Sequence, residues 1–212
     1  MRRRWKEAAV LGLLVLAVYG VLLGVYLPQK EREQEAWRLA QEDARTHDVT
    51  TIYPHESPYM GDAVNLAALL GVLPLPNLST TMELESDQFL LRLVLDGTYA
   101  QAGEEETVKR NLLYDSVALC AAVENLQQVS FVFDDREISH DRATLEEWFG
   151  ADLRALLEKE ETWKTQVQDR LDDVIRNQEK EGEKQGQSEE ICFWAEKNHR
   201  SKPVVLCVSN QS

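Results

Sequence analysis

Basic residues are the first shortage in this chain: 23 Lys and Arg stand against 37 Asp and Glu, a formal charge of −14 over 212 residues. The acidity, which lies in the bulk of the chain beyond its basic N-terminus, argues strongly against a nucleic-acid partner and against that bulk lying flat on anionic lipid, because both surfaces repel a polyanion. The familiar signatures of chemistry are missing too. There is no P-loop, no G-x-G-x-x-G, no G-x-S-x-G and no H-E-x-x-H, so nothing points to a nucleotide, a nucleophile elbow or a zinc protease. The four histidines, His47, His55, His140 and His199, are scattered over four segments. His140 beside Asp141 reads as a neighbour of a helix start, and Asp134, Asp135 and Glu137 lack the spacing of a calcium loop. No cofactor and no metal are expected, and an enzyme is the less favoured reading. No internal repeat is visible.

Cysteine is scarce as well, with three in all. Cys120 falls in an apolar helical pattern and reads as a small core residue. Cys192 and Cys207 lie in two short apolar runs near the C-terminus, where either a disulfide or two free, partly buried thiols fits. Cys192, His199 and Cys207 lack the C-x-x-C pairing that makes a zinc site convincing.

What the chain does have is one long oily run. Ala8 to Leu27 is uncharged over 20 residues, about 30 Å as a helix and the thickness of a bilayer's hydrocarbon core. Arg2, Arg3, Arg4 and Lys6 precede it, so a cytoplasmic N-terminus and an outer bulk are expected. Trp5 and Tyr26 suit the two interfaces. The run exceeds a signal-peptide core and ends Tyr26-Leu27-Pro28 without a small-x-small site, which favours an uncleaved anchor. Gly20 and Gly24 form a G-x-x-x-G step that lets membrane helices approach closely. The first 27 residues carry +3, leaving −17 on the remainder.

Organisation follows from composition. Residues 1–7 form a short cytoplasmic end, 8–27 the anchor, and 28–50 a charged stalk. Residues 51–178 make one α+β domain, 179–190 a polar linker and 191–212 a hairpin-like extension. Within the domain, Pro54 and Pro58 enforce an extended lead-in. Asp62 caps a helix with Leu66, Leu69, Leu70 and Leu73 at 3/4 spacing, stopped by Pro74 and Pro76. Residues 80–86 and 89–96 alternate as a hairpin, with Phe89, Leu91, Leu93 and Leu95 sharing a face. A helix from Glu104 to about Leu126 precedes a third strand, 129–133. Asp134 to Glu137 reads as a solvated turn. Ser139 or Asp141 caps a short helix closed by Gly150, and Asp152 opens a longer one whose stripe runs to Val174 and Ile175. The expected fold is therefore α+β: a single transmembrane helix, then a small antiparallel sheet with helices packed on one face.

One corner invites a functional reading. Tyr59, Gly61 and Asp62 place an aromatic, a flexible residue and a helix-starting carboxylate together after two prolines. A structural corner, in which Gly61 gives backbone freedom and Asp62 caps, competes with a recognition site.

These same residues carry a resemblance. Ser57-Pro58-Tyr59-Met60-Gly61-Asp62, then Leu70 to Leu73-Pro74-Leu75-Pro76, resembles the opening of DUF4825, a domain of unknown function from bacterial membrane-anchored proteins. Leu119 to Phe131, with Asn125-Leu126 and Val129-Ser130-Phe131, and Leu145 to Leu153 resemble its later parts. The likeness covers about residues 52–157. The family's aromatic Pro-Tyr-Gly strand motif has no counterpart around Asp87-Gln88-Phe89. The family brings no established activity. Related domains appended to membrane metallopeptidases of the antibiotic-sensor kind imply a regulatory setting. The expectation is a module at the cell membrane, its domain outside, that binds or regulates another membrane or envelope protein. An envelope enzyme or an accessory ligand-binding protein is the alternative.

Overall fold

The computed structural model describes residues 2–22, 24 and 27–181. Among them, no helix is long and apolar enough to cross a membrane, which corrects the expected transmembrane helix. Helix α1 (Arg2–Val21) spends its first turns on charged residues. Its uncharged part, Ala8 to Val21, is about 21 Å long at the usual rise, short of the roughly 30 Å a span needs. The backbone then passes into π-type turns at Leu22 and Gly24. Helix α2 (Leu27–Gln41) is charged along most of its length.

The core begins at Ala44, earlier than residue 51 where the sequence pattern set the domain's start. Ala44, His47, Val49 and Ile52 are all buried. The backbone N–H of Ala44 donates to the Asn111 amide oxygen at 3.0 Å. The Asn111 amide nitrogen donates to the carbonyls of Glu42 and Pro74. Gln168 donates to the carbonyls of Ala44 and His47. The 3-10 turns Val49–Thr51 and Tyr53–His55 lead on to helix α3 (Ala63–Leu70).

Four strands, β1 (Thr80–Glu85), β2 (Leu90–Leu95), β3 (Gln128–Val132) and β4 (Glu137–Asp141), pair in that order. β1 and β2 form the hairpin, antiparallel from Thr80 opposite Leu95 to Glu85 opposite Leu90. β2 and β3 run parallel, which corrects the all-antiparallel sheet. Parallel neighbours need a long crossover, and helix α4 (Glu105–Ala122) supplies it. The expected turn at residues 134–137 tightens enough for β4 to fold back on β3. Phe89 does not continue the β2 face. It takes a left-handed φ of 52° in the hairpin turn, and its carbonyl accepts from the N–H groups of Gln127 and Gln128.

Leu91, Leu93, Leu95, Val129 and Phe131 turn one sheet face into the core. The opposite face is polar: Arg92 lies 3.3 Å from Glu85 and 3.6 Å from Glu137. Every residue of α4 from Arg110 to Ala122 is buried, so this helix is covered on all sides rather than resting on the surface.

Beyond β4 the chain is helical in pieces. α5 (Arg142–Phe149) ends in a left-handed Gly150, φ 69°. α6 (Leu153–Leu157) is capped by Asp152, whose carboxylate accepts from the N–H groups of Arg154 and Ala155. α7 (Glu160–Gln166) leads into the 3-10 turn Gln168–Arg170. One long helix from Asp152 is therefore not what forms. Contacts divide the chain after Leu171, and residues 172–181 of the second unit are helical.

Candidate functional site

The Tyr59–Asp62 corner is built by short-range hydrogen bonds and anchored at one distant point. Ser57 bridges to Val123 in parallel fashion: its N–H donates to the Ala122 carbonyl at 2.8 Å, and the Glu124 N–H donates to the Ser57 carbonyl at 3.0 Å. The Tyr59 N–H donates to the Ser57 hydroxyl, which donates to the Tyr59 carbonyl. The Met60 N–H donates to the Asn125 amide oxygen at 2.7 Å, and the Met60 side chain is buried. Asp62 accepts from the Asn65 N–H at 3.0 Å, so it is the N-cap of α3. Asn65 donates in turn to the His55 carbonyl at 2.8 Å, and His55 Nδ1 lies 3.2 Å from the Asn65 amide oxygen.

This frame presents apolar surface. Tyr59 is 69 % exposed and Val64 83 %. α3 has no charged residue: Leu66 and Leu69 face the core, while Ala63, Val64, Ala67 and Ala68 are exposed. Asn65, the helix's one polar side chain, is turned toward His55. Asn125, His55 and Val64 were not marked by the sequence reading. Asn125 alone carried a signal, since it falls in the motif that resembles the family. Gly61 does not play the part expected of it. Its φ is not among the positive glycine values, and a Cβ there would meet nothing within 4 Å. The corner keeps its shape without left-handed backbone at that position.

Other titratable groups lie away from this corner, wholly or partly buried. Among the described residues, no three His, Cys, Asp or Glu side chains gather as a metal site. Burial lowers the His140 pKa to about 4, against the opposing pull of Asp141. His140 Nδ1 lies 2.8 Å from the Ser116 hydroxyl, but that hydroxyl donates to the Leu112 carbonyl and is fully buried. A serine sealed in this way reaches no substrate. Cys120 is buried and free, and burial pushes its thiol up to about 12, so it stays protonated and inert. Asp115 is fully buried, and neither of its carboxylate oxygens has a hydrogen-bond partner. Burial raises its pKa well above the usual carboxylate value, so it rests as the neutral acid.

A shallow cleft of about 190 Å³ lies between Glu42, Leu75, Pro76, Glu104 and Asn111. It is smaller than ordinary ligand pockets, and the Asn111 amide beside it is already engaged with Ala44, Glu42 and Pro74.

Gly20 and Gly24 have nothing within 4 Å of where a Cβ would stand, so the chain does not use them for packing against itself. Cys192, Cys207 and the hairpin-like extension at 191–212 lie outside the described residues.

Residues 52–144 match the model of DUF4825, a domain of unknown function. The matched stretch runs from Ile52 through the corner, α3, the whole sheet and α4 into α5. Neither the curated proteins nor the solved structures contain a match to the chain.

Proposed function

We propose that the chain, through the DUF4825 domain at residues 52–144, is a non-enzymatic binding module that regulates another protein of the membrane or envelope. The Tyr59–Asp62 corner and the uncharged face of α3 form its docking surface. The observation that carries this reading is the exposure of Tyr59 and Val64 on a frame that hydrogen bonds hold in place. An apolar patch on an acidic chain faces water at a cost that a partner relieves. A preformed patch also loses little conformational freedom on binding.

A membrane setting is part of the same proposal. The side chains from Leu11 on α1 to Leu22 just after it are apolar, and the large ones are 43–68 % exposed. Lipid takes up such surface favourably, and the arginines before it favour anionic headgroups.

Photocrosslinking from residue 59 or 64 in the native source tests the docking surface, with residue 83 on β1 as the control position. The expected result is one stoichiometric adduct from 59 and 64, absent from 83, and lost in Val64→Asp. Because Val64 is exposed, that variant should unfold within about 0.5 kcal/mol of the parent. Equal labelling from all three positions would overturn the reading. Flotation with anionic vesicles, comparing the full chain with one lacking residues 1–26, tests the membrane setting by itself.

A further inference from the structure

His47 follows α2 and is 3 % exposed. Its Nε2 lies 2.8 Å from the carbonyl of Val72, in the loop after α3. A carbonyl only accepts, so Nε2 carries the hydrogen and Nδ1 is bare. Nδ1 lies 2.8 Å from the Tyr114 hydroxyl on α4, which therefore donates to it. The Tyr114 oxygen accepts the indole N–H of Trp163 on α7 at 3.1 Å. The donors all point one way, Trp163 to Tyr114 to His47 to Val72. The three rings meet edge-on, with centroids 5.3 and 5.7 Å apart.

This chain has room for one tautomer and for no further proton. A hydrogen on Nδ1 would meet the Tyr114 hydroxyl hydrogen, which has no other acceptor among the described residues, and would put a charge in a closed apolar site. The elements around the ring bring little to balance that charge. α4 brings Tyr114, α7 brings Trp163, the turn after α7 brings the Gln168 amide on the His47 carbonyl, and Val72 is neutral. The Thr51 hydroxyl, 3.4 Å from Nε2, already donates to the Asp48 carbonyl. Among the described residues, Asp48 is the carboxylate that acts on the ring, and its Oδ1 accepts from the Thr50 N–H and hydroxyl.

We propose that His47 is a proton-operated latch between the α2 lead-in and the domain: neutral, it closes the Trp163–Tyr114–His47–Val72 chain, and protonated, it releases residues 42–52 from α4 and α7. Burial holds the imidazole below its ordinary value, so the latch is closed at neutral pH and opens in acid. The released histidine titrates near 6.5. Each pH unit below about 6.5 therefore raises the open-to-closed ratio up to tenfold, until the closed form also binds the proton. The device gives the module a way to uncouple α1 and α2 from the folded domain.

Hydrogen exchange on the full chain, from pH 7.5 to 4.5 and corrected for intrinsic rates, reads the latch. The expected result is a loss of protection in residues 42–52, up to tenfold per unit below about pH 6.5, while β2 and β3 stay protected. His47→Gln, whose amide has both a donor and an acceptor but no titration, is expected to keep 42–52 at the same protection throughout. If His47→Gln does not fold, Tyr114→Phe decides. It removes the hydroxyl that opposes the second proton, so the closed form accepts that proton at higher pH and acid should raise the exchange of 42–52 less steeply than in the parent. Protection of 42–52 that ignores pH, a simultaneous loss over the whole domain, or an unchanged opening in a folded His47→Gln or Tyr114→Phe variant would each overturn the proposal.

Discussion

Asp115 and His140 pull stability in opposite directions along the pH scale. The Asp115 carboxyl has its folded pKa raised above 3.8. Its contribution is complete below that value and is lost as pH rises, because the unfolded chain releases the proton first. His140 has its folded pKa lowered from 6.5 to about 4. Its contribution is complete above 6.5 and is lost as pH falls toward 4. Asp115→Asn should therefore stabilise the protein at pH 7, on the order of 1 kcal/mol. It should also leave a stability curve that falls steadily toward acid. Urea midpoints between pH 4 and 8 check both. None of this was legible beforehand. An aspartate in Leu113-Tyr114-Asp115-Ser116-Val117 looks like a helix residue facing water. Only the covering of α4 on every side shows that it cannot.

α4 is the element on which the others depend, and its C-terminus shows how. The last carbonyls of a helix lack partners within it. Here the Arg142 guanidinium donates to the carbonyls of Cys120 in the last turn, of Val123 at the cap and of Leu126 in the loop beyond, with its side chain 13 % exposed. Arg142→Lys should cost about 2 kcal/mol, because a single ammonium cannot reach three carbonyls that a planar fork can. Denaturant unfolding measures it. The local elements were readable: the Asp62 cap, the alternation of β1 and β2, the apolar 129–133 run and the Gly150 stop. The strand β4 was not, because Glu137-Ile138-Ser139-His140-Asp141 has one strongly apolar residue and pairs as an edge. The direction of β3 was not either. Alternation sets which face a strand buries, and it is silent about which way the neighbour runs.

For the molecule as a whole, the apolar run at the N-terminus and the acidic domain are two separate physical problems. The side chains of residues 11–22 contribute little to the core, since the large ones remain 43–68 % exposed. Removing residues 1–26 should leave the domain's unfolding free energy within about 0.5 kcal/mol of the full chain. A scanning calorimetry comparison tests this, and a large loss would mean that α1 covers part of the core. Among the described residues, no helix forms the expected membrane span. Twenty uncharged residues suffice in sequence, but the helix that forms begins among arginines and ends at Val21.

Periodicity, caps and charge act over a few residues, so the sequence by itself determined helices α3, α4 and α5, the hairpin, the acidic balance and the likeness to DUF4825. The tertiary structure alone decided that β2 and β3 run parallel, that α4 is buried on all sides, and that His47 meets Tyr114 and Trp163. Those facts depend on groups 67 and 49 residues apart finding one another, and no local pattern encodes a partner at that distance.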